Sequence, residues 1–504
     1  MNTEHFPALI VVVPLLLSFV VFAVGLVRRS LCLPIVILTL LACLGFAIGI
    51  LQSVLTKGGT VRYYLGAWDP PWGIEYAVDH LNALVLLSIA VVSLLVAIHS
   101  GSVTAKEIPA SKHGPFYTLL LLQVTGLFGM TITGDVFNLY VLLEIASFSA
   151  YAIIGMGEGG APFAAFRYMI FGTIGACAYL LGIGYLYILT GSLNMADLRQ
   201  LLVPLYESRV LLVGFAFIMV GIAIKMALFP VHTWLPDSYT LAPSAVSALL
   251  APLFTKVGVY VLLRFLFTVF DPSFSSQMFP VLKVLGGVAT IGIIFASIMA
   301  LAQTDLKRML CYLIVAEIGY IVVGVACANR VGLIGAILHT VNDIFMMACL
   351  FTVAGSITAY RGSRNIELFR GLHRTMPVTL AVFVAGALSV VGVPPFCGFF
   401  SKWYLVLGTI HAGQWVYLGV LLAGSLLNAV LFFRVLEKAY FELRDESGHA
   451  EPHGRKRPLI DRIPLTELGP MVVLALLLIF LGLFSNNIIG DVIEHAIPQT
   501  MRIH

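Results

Sequence analysis

The feature that most constrains this chain is the recurrence of apolar stretches from one end to the other. A helix needs about 20 apolar residues to cross the roughly 30 Å hydrocarbon core of a bilayer. Because lipid offers the backbone no hydrogen bonds, continuous runs of this length cross as helices. The pattern predicts an all-α polytopic membrane protein with about 14 transmembrane helices. We place the spans near residues 8–27, 32–55, 80–99, 115–133, 135–156, 164–190, 210–229, 244–267, 279–300, 306–328, 331–358, 377–406, 412–440 and 465–486.

Composition excludes several classes of function. Of 504 residues, 60% are hydrophobic and 11% are charged, which leaves no soluble domain of useful size. The net charge of +4 is not gathered into a basic patch, so no nucleic-acid partner is expected. The seven cysteines lie in apolar runs without ligand spacing, and we interpret them as small buried hydrophobes. Without a dinucleotide motif, an iron–sulfur pattern or a haem ligand pair, the sequence predicts no cofactor and no metal site.

Basic residues indicate the side of the membrane on which each loop lies. The first apolar run is followed by Arg28 and Arg29 and lacks a basic leader and a cleavage site, so we interpret it as a retained span. If the N-terminus lies outside, the inner loops collect most of the Lys and Arg, including the run 434–462. The positive-inside rule then places both termini on the extracytoplasmic side.

The seventh span contains a lysine followed by a helix break. In KMALFPVHTWLPDSY, Lys225 ends an apolar run, and Pro230 has no N–H to donate to the carbonyl of Met226. Unwound backbone at membrane depth is tolerated only inside protein or beside water. Such a site usually serves to move charge.

The twelfth span repeats this arrangement. Pro394 and Pro395 cannot bond back to the carbonyls of Val390 and Val391, so those carbonyls need water or side-chain partners, and Lys402 follows. The two broken spans lie five spans apart, and an odd offset inverts topology, so we predict two inverted five-helix repeats. The expected units are residues 1–110 (three N-terminal spans), 111–270 (first repeat), 271–445 (second repeat) and 446–504 (cytoplasmic segment and last span).

Two hydrophilic segments interrupt the apolar pattern. Residues 58–77 alternate turn formers with aromatics, which suits a short hairpin or a folded loop at the membrane interface. Residues 442–462 form the one long hydrophilic stretch and are expected on the cytoplasmic face. Contact with a partner and simple solvation both fit this segment, and we favour solvation.

Ionisable residues inside the spans are the main candidates for function. Each costs about 2.5–3.5 kcal/mol to insert, so such residues usually have a role. If Asp135 marks the outer end of its span, a rise of about 1.5 Å per residue places Glu144 near mid-bilayer. The others are Lys225, Lys256, Glu317, His339, Asp343 and Lys402.

A structural role is also open for several of these residues. In the structural alternative, Glu144 is a buried partner that neutralises a lysine and fixes helix packing, and Lys256 caps carbonyls near Pro252. His339 can be a satisfied core histidine, and His232, at the broken helix end, is interpreted as a structural hydrogen-bonding residue.

Paired acids and bases also provide a way to move protons. Burial favours the neutral form of a lysine, whereas a nearby carboxylate favours the charged form. If Glu144 separates from Lys225, the lysine loses its counter-ion and can pass its proton to a neighbour such as Lys256.

Several motifs resemble those of a known family. They are GDVFNLYVLLEIASFSAYAIIG (134–155), KMALFPVHTWLPDSYTLAPSAVSALLA (225–251), TKVGVYVLLR (255–264), QTDLKRMLCYLIVAEIGY (303–320) and GVPPFCGFFSKW (392–403). In this order they resemble the antiporter-like subunits shared by respiratory complex I, membrane-bound hydrogenases and Mrp-type sodium/proton antiporters. The similarity covers nearly the whole chain and is strongest to the D subunit of Mrp antiporters and its relatives in hydrogenase modules.

The resemblance implies a fourteen-helix fold and a proton relay through water at the midplane. It assigns the main relay roles to Glu144, Lys225, Lys256, His339 and Lys402. We add Asp135, His232, Glu317 and Asp343 as secondary relay or gating residues, with helix breaks at Pro230, Pro394 and Pro395. The implied setting is a bacterial or archaeal cell membrane, and the implied partners are homologous antiporter-like subunits, small membrane subunits, protons, possible Na⁺ and the lipid bilayer.

The chain departs from the family pattern in its eleventh span. Where the family often has HxxNHAxxKALLF, this chain has HTVNDIFMMACLF, so Asp343 replaces a histidine and Met347 replaces a lysine. Glu317 replaces a position that is commonly His or Gln. The connection between the central lysine and Lys402 is therefore expected to be acidic here.

Three functions compete. The first is a proton-conducting subunit of an Mrp-type multisubunit sodium/proton antiporter. The alternative is a proton-pumping membrane subunit of a complex I-like or hydrogenase-type redox complex, in which the redox chemistry belongs to partners. The third, an inert scaffold, is disfavoured because it does not explain so many charges at mid-membrane depth.

Overall fold

A computed structural model describes residues 3–272, 274, 280–440, 461 and 463–498. Helices dominate these ranges. They are α1 (Phe6–Val27), α2 (Cys32–Lys57), α3 (His80–Glu107), α4 (His113–Ile132), α5 (Val136–Ile154), α6 (Ala161–Thr190), α7 (Met195–Leu201), α8 (Arg209–Lys225), α9 (Trp234–Leu241), α10 (Ser244–Arg264), α11 (Val281–Leu301), α12 (Leu306–Ala326), α13 (Arg330–Arg361), α14 (Leu372–Thr375), α15 (Pro377–Val391), α16 (Cys397–His411), α17 (Trp415–Tyr440), α18 (Leu465–Leu483), α19 (Ser485–Ile488) and α20 (Glu494–Ala496).

The helices confirm the predicted fold class. Within the described ranges, twelve helices are long and apolar enough to cross a bilayer. Two further crossings are interrupted: α8 is followed by α9, and α15 is followed by α16. The broken seventh and twelfth spans therefore lie where the sequence predicts them.

Three helices form the centre of the molecule. The apolar windows of α10 and α13 are 100% buried and that of α12 is 94% buried, whereas only 33% of α1 and 28% of α17 is buried. A helix enclosed by protein can hold charged groups away from lipid. Six cysteines are buried as predicted, but Cys177 is exposed because its helix, α6, lies at the periphery.

Small residues let two of the inner helices approach closely. An added Cβ at Gly408 on α16 would lie 2.4 Å from the Cα of Gly332 on α13. Backbones come this close only where neither residue has a side chain, a common device in membrane helix packing. The approach holds the second broken span against the central helix.

The break in the seventh span begins earlier than its proline alone requires. The helix α8 ends at Lys225, so Met226 already lies outside it. The indole Nε1 of Trp234 donates to the Ile224 carbonyl at 3.0 Å, which satisfies an acceptor at the broken end. The lysine is thereby held at the end of a helix rather than in its interior.

The predicted interfacial segment is a short hairpin. Strands β1 (Val61–Tyr64) and β2 (Glu75–Val78) pair antiparallel. Glu75 is 1% exposed and lies 2.8 Å from the Arg62 guanidinium, and Asn194 donates to the same carboxylate at 2.8 Å. These contacts attach the hairpin to the start of α7.

An ion pair joins the start of α3 to the end of α10. Asp79 accepts from the backbone N–H groups of Leu81 and Asn82, and the Arg264 guanidinium donates to both of its oxygens at 2.5 Å. Burial alone would raise the pKa of Asp79, but Arg264 and these hydrogen bonds hold that pKa below its ordinary value. The pair therefore stays charged at neutral pH.

The hydrophilic segment between α17 and α18 lies mostly outside the described residues, which include only Asp461 from the stretch 442–462. Asp461 is 5% exposed and accepts from the backbone N–H groups of Val378 and Thr379, both at 2.8 Å. The expectation of a solvated segment is therefore wrong for this residue, because its carboxylate caps α15.

We expect Gly408→Ala to destabilise the protein by about 1–3 kcal/mol, because the new methyl group overlaps the Gly332 backbone. The measurement is the thermal unfolding midpoint of the purified protein in detergent. Gly419→Ala on α17 is the matched control, since an added Cβ there meets nothing within 4 Å. Equal midpoints for the two variants would contradict the close approach.

Candidate functional site

The first cluster lies at the broken end of α8. Lys225 Nζ is 3.3 Å from Glu144 Oε1 and donates to Ser147 Oγ at 2.8 Å and to the Tyr151 hydroxyl at 3.4 Å. Lys225 is 3% exposed and Glu144 is 15% exposed. The three partners follow one face of α5 at helical spacing. The lysine therefore has two neutral acceptors as well as its counter-ion.

The second cluster is a fully buried ion pair. Lys256 Nζ on α10 lies 2.7 Å from Asp343 Oδ2 on α13, and both side chains are 0% exposed. Neither Asp343 oxygen has a partner with hydrogen-bond geometry among the described residues, so this contact is a close ion pair rather than an aligned hydrogen bond. Lys256 also donates to the Ala251 carbonyl, next to Pro252, at 3.3 Å. The lysine thus contacts a carbonyl and an acid.

The third cluster is centred on Glu317 of α12. One carboxylate oxygen lies 2.8 Å from His339 Nε2, and the other accepts from Asn428 Nδ2 at 3.0 Å. Lys402 Nζ lies 3.7 Å from the second oxygen. The other ring nitrogen of His339 lies 2.9 Å from Ser401 Oγ. His339 therefore bridges an acid and a hydroxyl, with one nitrogen donating and one accepting when it is neutral.

Lys402 lies in the first turns of α16, and its amine reaches back to the second helix break. Its Nζ donates to the Val390 carbonyl at 2.6 Å, one of the two carbonyls expected to need a new partner. The same nitrogen lies 4.3 Å from the centre of the Tyr320 ring, a cation–π distance. Pro394 and Pro395 separate α15 from α16 and so leave room for this lysine, and Pro230 lies in the matching gap after α8.

The helix α13 joins the second cluster to the third. His339 and Asp343 are one turn apart on it, so their Cβ atoms are about 5–6 Å apart on one face. Both residues are 0% exposed. An acid and an imidazole thus line the route from Lys256 to Glu317.

The first cluster approaches the second where α8 meets α10. An added Cβ at Gly258 would lie 3.2 Å from the Cα of Met226, the residue after Lys225. A cavity of about 10 Å³ lies between Lys225 and Gly258, close to the smallest volume that holds one water molecule. The gap from Lys225 to Lys256 is therefore narrow and mainly apolar.

Two predicted secondary residues lie apart from these clusters. Asp135 caps α5 and accepts from Asn138 N at 2.6 Å. Burial raises the pKa of Asp135 above its ordinary value. His232 packs against the rings of Phe229 and Phe295, whose centroids lie 5.5 and 5.7 Å from its own. The structure therefore gives both residues local structural contacts.

Sequence reasoning did not identify the neutral groups that complete the clusters. Ser147 and Tyr151 follow Glu144 at helical spacing, and Ser401 precedes Lys402, so these positions carried a usable signal. Asn428 and Tyr320 carried none, because their contacts depend on how α17 and α12 pack.

The chain is similar to known proteins over nearly its full length. Residues 133–428 match the family described as NADH:quinone oxidoreductase/Mrp antiporter, TM. The N subunit of the NADH-quinone oxidoreductase of Desulforudis audaxviator (strain MP104C) is 46% identical over 504 residues, covering 98% of this chain and 99% of that protein. The D subunit of the Na(+)/H(+) antiporter of Bacillus subtilis (strain 168) is 30% identical over 443 residues, covering 87% of each chain. In a solved structure of the membrane-bound sulfane sulfur reductase, an archaeal respiratory membrane complex, one chain matches with a TM-score of 0.87 at 30% identity, covering 97% of each chain.

We expect Asp343→Asn to destabilise the protein more than Glu144→Gln does. The first change leaves Lys256 buried without a counter-ion, which costs up to about 3–5 kcal/mol. The second leaves Lys225 with two hydroxyl partners. The measurement is thermal unfolding in detergent, and the double variant Lys256→Met with Asp343→Asn should recover most of the loss. Equal losses in the two single variants, without recovery in the double variant, would contradict the assigned pairing.

Proposed function

We propose that this chain, which belongs to the NADH:quinone oxidoreductase/Mrp antiporter transmembrane family, conducts protons as one membrane subunit of a redox-driven complex. The observation that carries the proposal is the series of buried acids and bases in three clusters across the molecule. This series joins Glu144 with Lys225, Lys256 with Asp343, and His339 and Glu317 with Lys402.

The first step is control of Lys225 by its counter-ion. Burial favours the neutral amine, and Glu144 offsets that preference while it stays close. The contact of 3.3 Å is long for a charge-assisted hydrogen bond. If Glu144 moves away, Ser147 and Tyr151 still accept from the amine but supply no negative charge. Lys225 then releases its proton toward Lys256.

The second step passes charge across the centre. A proton arriving at Lys256 is stabilised by Asp343, which lies 2.7 Å away. His339, one turn along α13, contacts Glu317, and Glu317 in turn lies 3.7 Å from Lys402. Because an imidazole can accept a proton on one nitrogen and release another from the other nitrogen, His339 can pass a proton between Ser401 and Glu317, the two groups that its ring contacts. Lys402 is the last group in the series.

The three clusters are distributed over the two proposed repeat units. The unit 111–270 holds the first cluster, and the unit 271–445 holds the third. The pair Lys256–Asp343 joins one unit to the other. We propose that both termini lie on the extracytoplasmic side, following the distribution of basic loops, and that homologous and small membrane subunits assemble beside this chain.

The choice of a redox complex rests on the comparison with relatives. The relative that is 46% identical over nearly the whole chain is an NADH-quinone oxidoreductase subunit. The expectation of an Mrp-type antiporter subunit remains the second candidate, supported by 30% identity to the D subunit of an antiporter. The charged clusters suit both, since each requires proton movement through the membrane interior.

In the assembled complex, we expect Glu144→Gln and Lys225→Ala each to lower proton translocation at least about tenfold, because each removes a member of the relay. The measurement is acidification of sealed vesicles with complex assembly checked in parallel. Lys283→Gln is the matched control, since this exposed lysine lies on α11 outside the clusters. Normal translocation in both relay variants would disprove the relay.

A second experiment separates the two candidate complexes. With this chain tagged in its native membrane, we expect proton movement to follow electron transfer to quinone and to be unaffected by a sodium gradient. The measurement is vesicle acidification with a reductant and quinone, or with a sodium gradient alone. Sodium-driven proton movement without a reductant would favour the antiporter instead.

A further inference from the structure

A cavity opens on the side of the molecule that carries the β-hairpin. Its volume is about 720 Å³. Its upper wall includes Arg62 and Glu75 of the hairpin, and its lower part reaches Tyr260 on α10 and Ile337 on α13. We call this space the hairpin cavity. It lies outside the three clusters described above.

The floor of the hairpin cavity lies close to the central ion pair. An added Cβ at Gly355 would lie 3.0 Å from Ser244, which sets the relative level of the antiparallel helices α10 and α13. Lys256 and Asp343 are each twelve residues from that contact, so they lie at one level. Tyr260 and Ile337 lie nearer the hairpin side by about 6–9 Å, at about 1.5 Å per residue.

A fixed ion pair, Arg264 with Asp79, lies in the wall of the hairpin cavity. Lys256, Tyr260 and Arg264 recur at four-residue intervals along one face of α10. Arg264 Nε donates to the Tyr260 hydroxyl at 2.8 Å, and its two terminal nitrogens bind Asp79. The Tyr260 hydroxyl donates to the Thr131 carbonyl at 2.7 Å. This network fixes Tyr260 in the cavity floor, one helical turn from Lys256, so that its side chain obstructs the passage of water to the lysine.

We propose that the hairpin cavity is an outlet for protons from the middle of the relay, and that the Arg264–Asp79 pair with Tyr260 forms its gate. The proposal rests on the proposed function. In the transfer step, the network around Tyr260 opens and water enters from the cavity as far as Lys256, which is fully buried while the network is closed. Protonated Lys256 then gives one N–H proton to that water molecule, which leaves a neutral amine and a hydronium ion. Closure of the network then blocks the return of that proton.

The contact with Asp343 explains why the outlet is placed at Lys256. The fully buried carboxylate holds a positive charge on Lys256 at the level nearest the cavity floor. None of the relay residues lines the hairpin cavity, but Lys256 lies one helical turn from Tyr260, which does. A proton waiting on Lys256 therefore has a short path to the hairpin side and a longer one through the third cluster.

The first test asks whether the cavity floor meets water. In the assembled complex, Ile337→Cys should react with a membrane-impermeant thiol reagent added on the hairpin side and not from the other side. Ile337 and Leu338 are both buried, but only Ile337 lines the cavity, so Leu338→Cys is the matched control and the unsubstituted chain reports the background. Labelling of Ile337→Cys no faster than that of Leu338→Cys would overturn the proposal.

The second test addresses the gate. Arg264→Gln should raise passive proton leak through sealed vesicles several-fold, whereas Arg264→Lys, which keeps the charge, should leak less. Arg330→Gln is the control, since the pair Arg330–Glu494 also joins two elements but lies outside the cavity lining. Leak equal to that control, or equal leak in both Arg264 variants, would overturn the gate.

A failure of the outlet proposal can be distinguished from a failure of the proposed relay. Glu144→Gln should abolish driven translocation while leaving the labelling of Ile337→Cys unchanged. If Glu144→Gln pumps normally, the proposed relay is wrong whatever the labelling shows. If Glu144→Gln is inactive and the cavity floor is unreactive, the relay holds and the outlet is wrong.

Discussion

The ion pair between Lys256 and Asp343 is the contact on which the rest of the interior depends. Both side chains are fully buried on the two most enclosed helices. Two isolated charges at this depth would be costly, and the pair reduces that cost only while α10 and α13 stay in register. The packing of the central helices and the electrostatics of the relay are therefore coupled. A change in either alters the other.

The two helix breaks place lysines where a continuous helix would not. Lys225 ends α8 beside an acid and two hydroxyl groups, and Lys402 reaches the free carbonyl of Val390. An amine at a broken helix can exchange partners without unwinding a full turn. The two ends of the relay are thus adaptable, whereas its centre is rigid.

Much of this arrangement could be predicted from the sequence. Spans, breaks and buried charges are local properties, since hydropathy and proline report them directly. The pairing of acids with bases is not local: Asp343 meets Lys256, and Asn428 meets Glu317, only because distant helices pack together. The same reason explains why the solvated position expected for Asp461 is wrong. Its carboxylate caps α15, which is distant in the sequence.

The partial exposure of Glu144 has a consequence for assembly. At 15% exposure near mid-membrane depth, its carboxylate reaches the outer surface of this chain, where hydrocarbon would surround it in isolation. Polar groups of a neighbouring subunit packed on this face of α5 would keep the carboxylate away from hydrocarbon. Under the proposed function, the face of α5 that carries Glu144 is therefore the side on which we expect a partner subunit to pack.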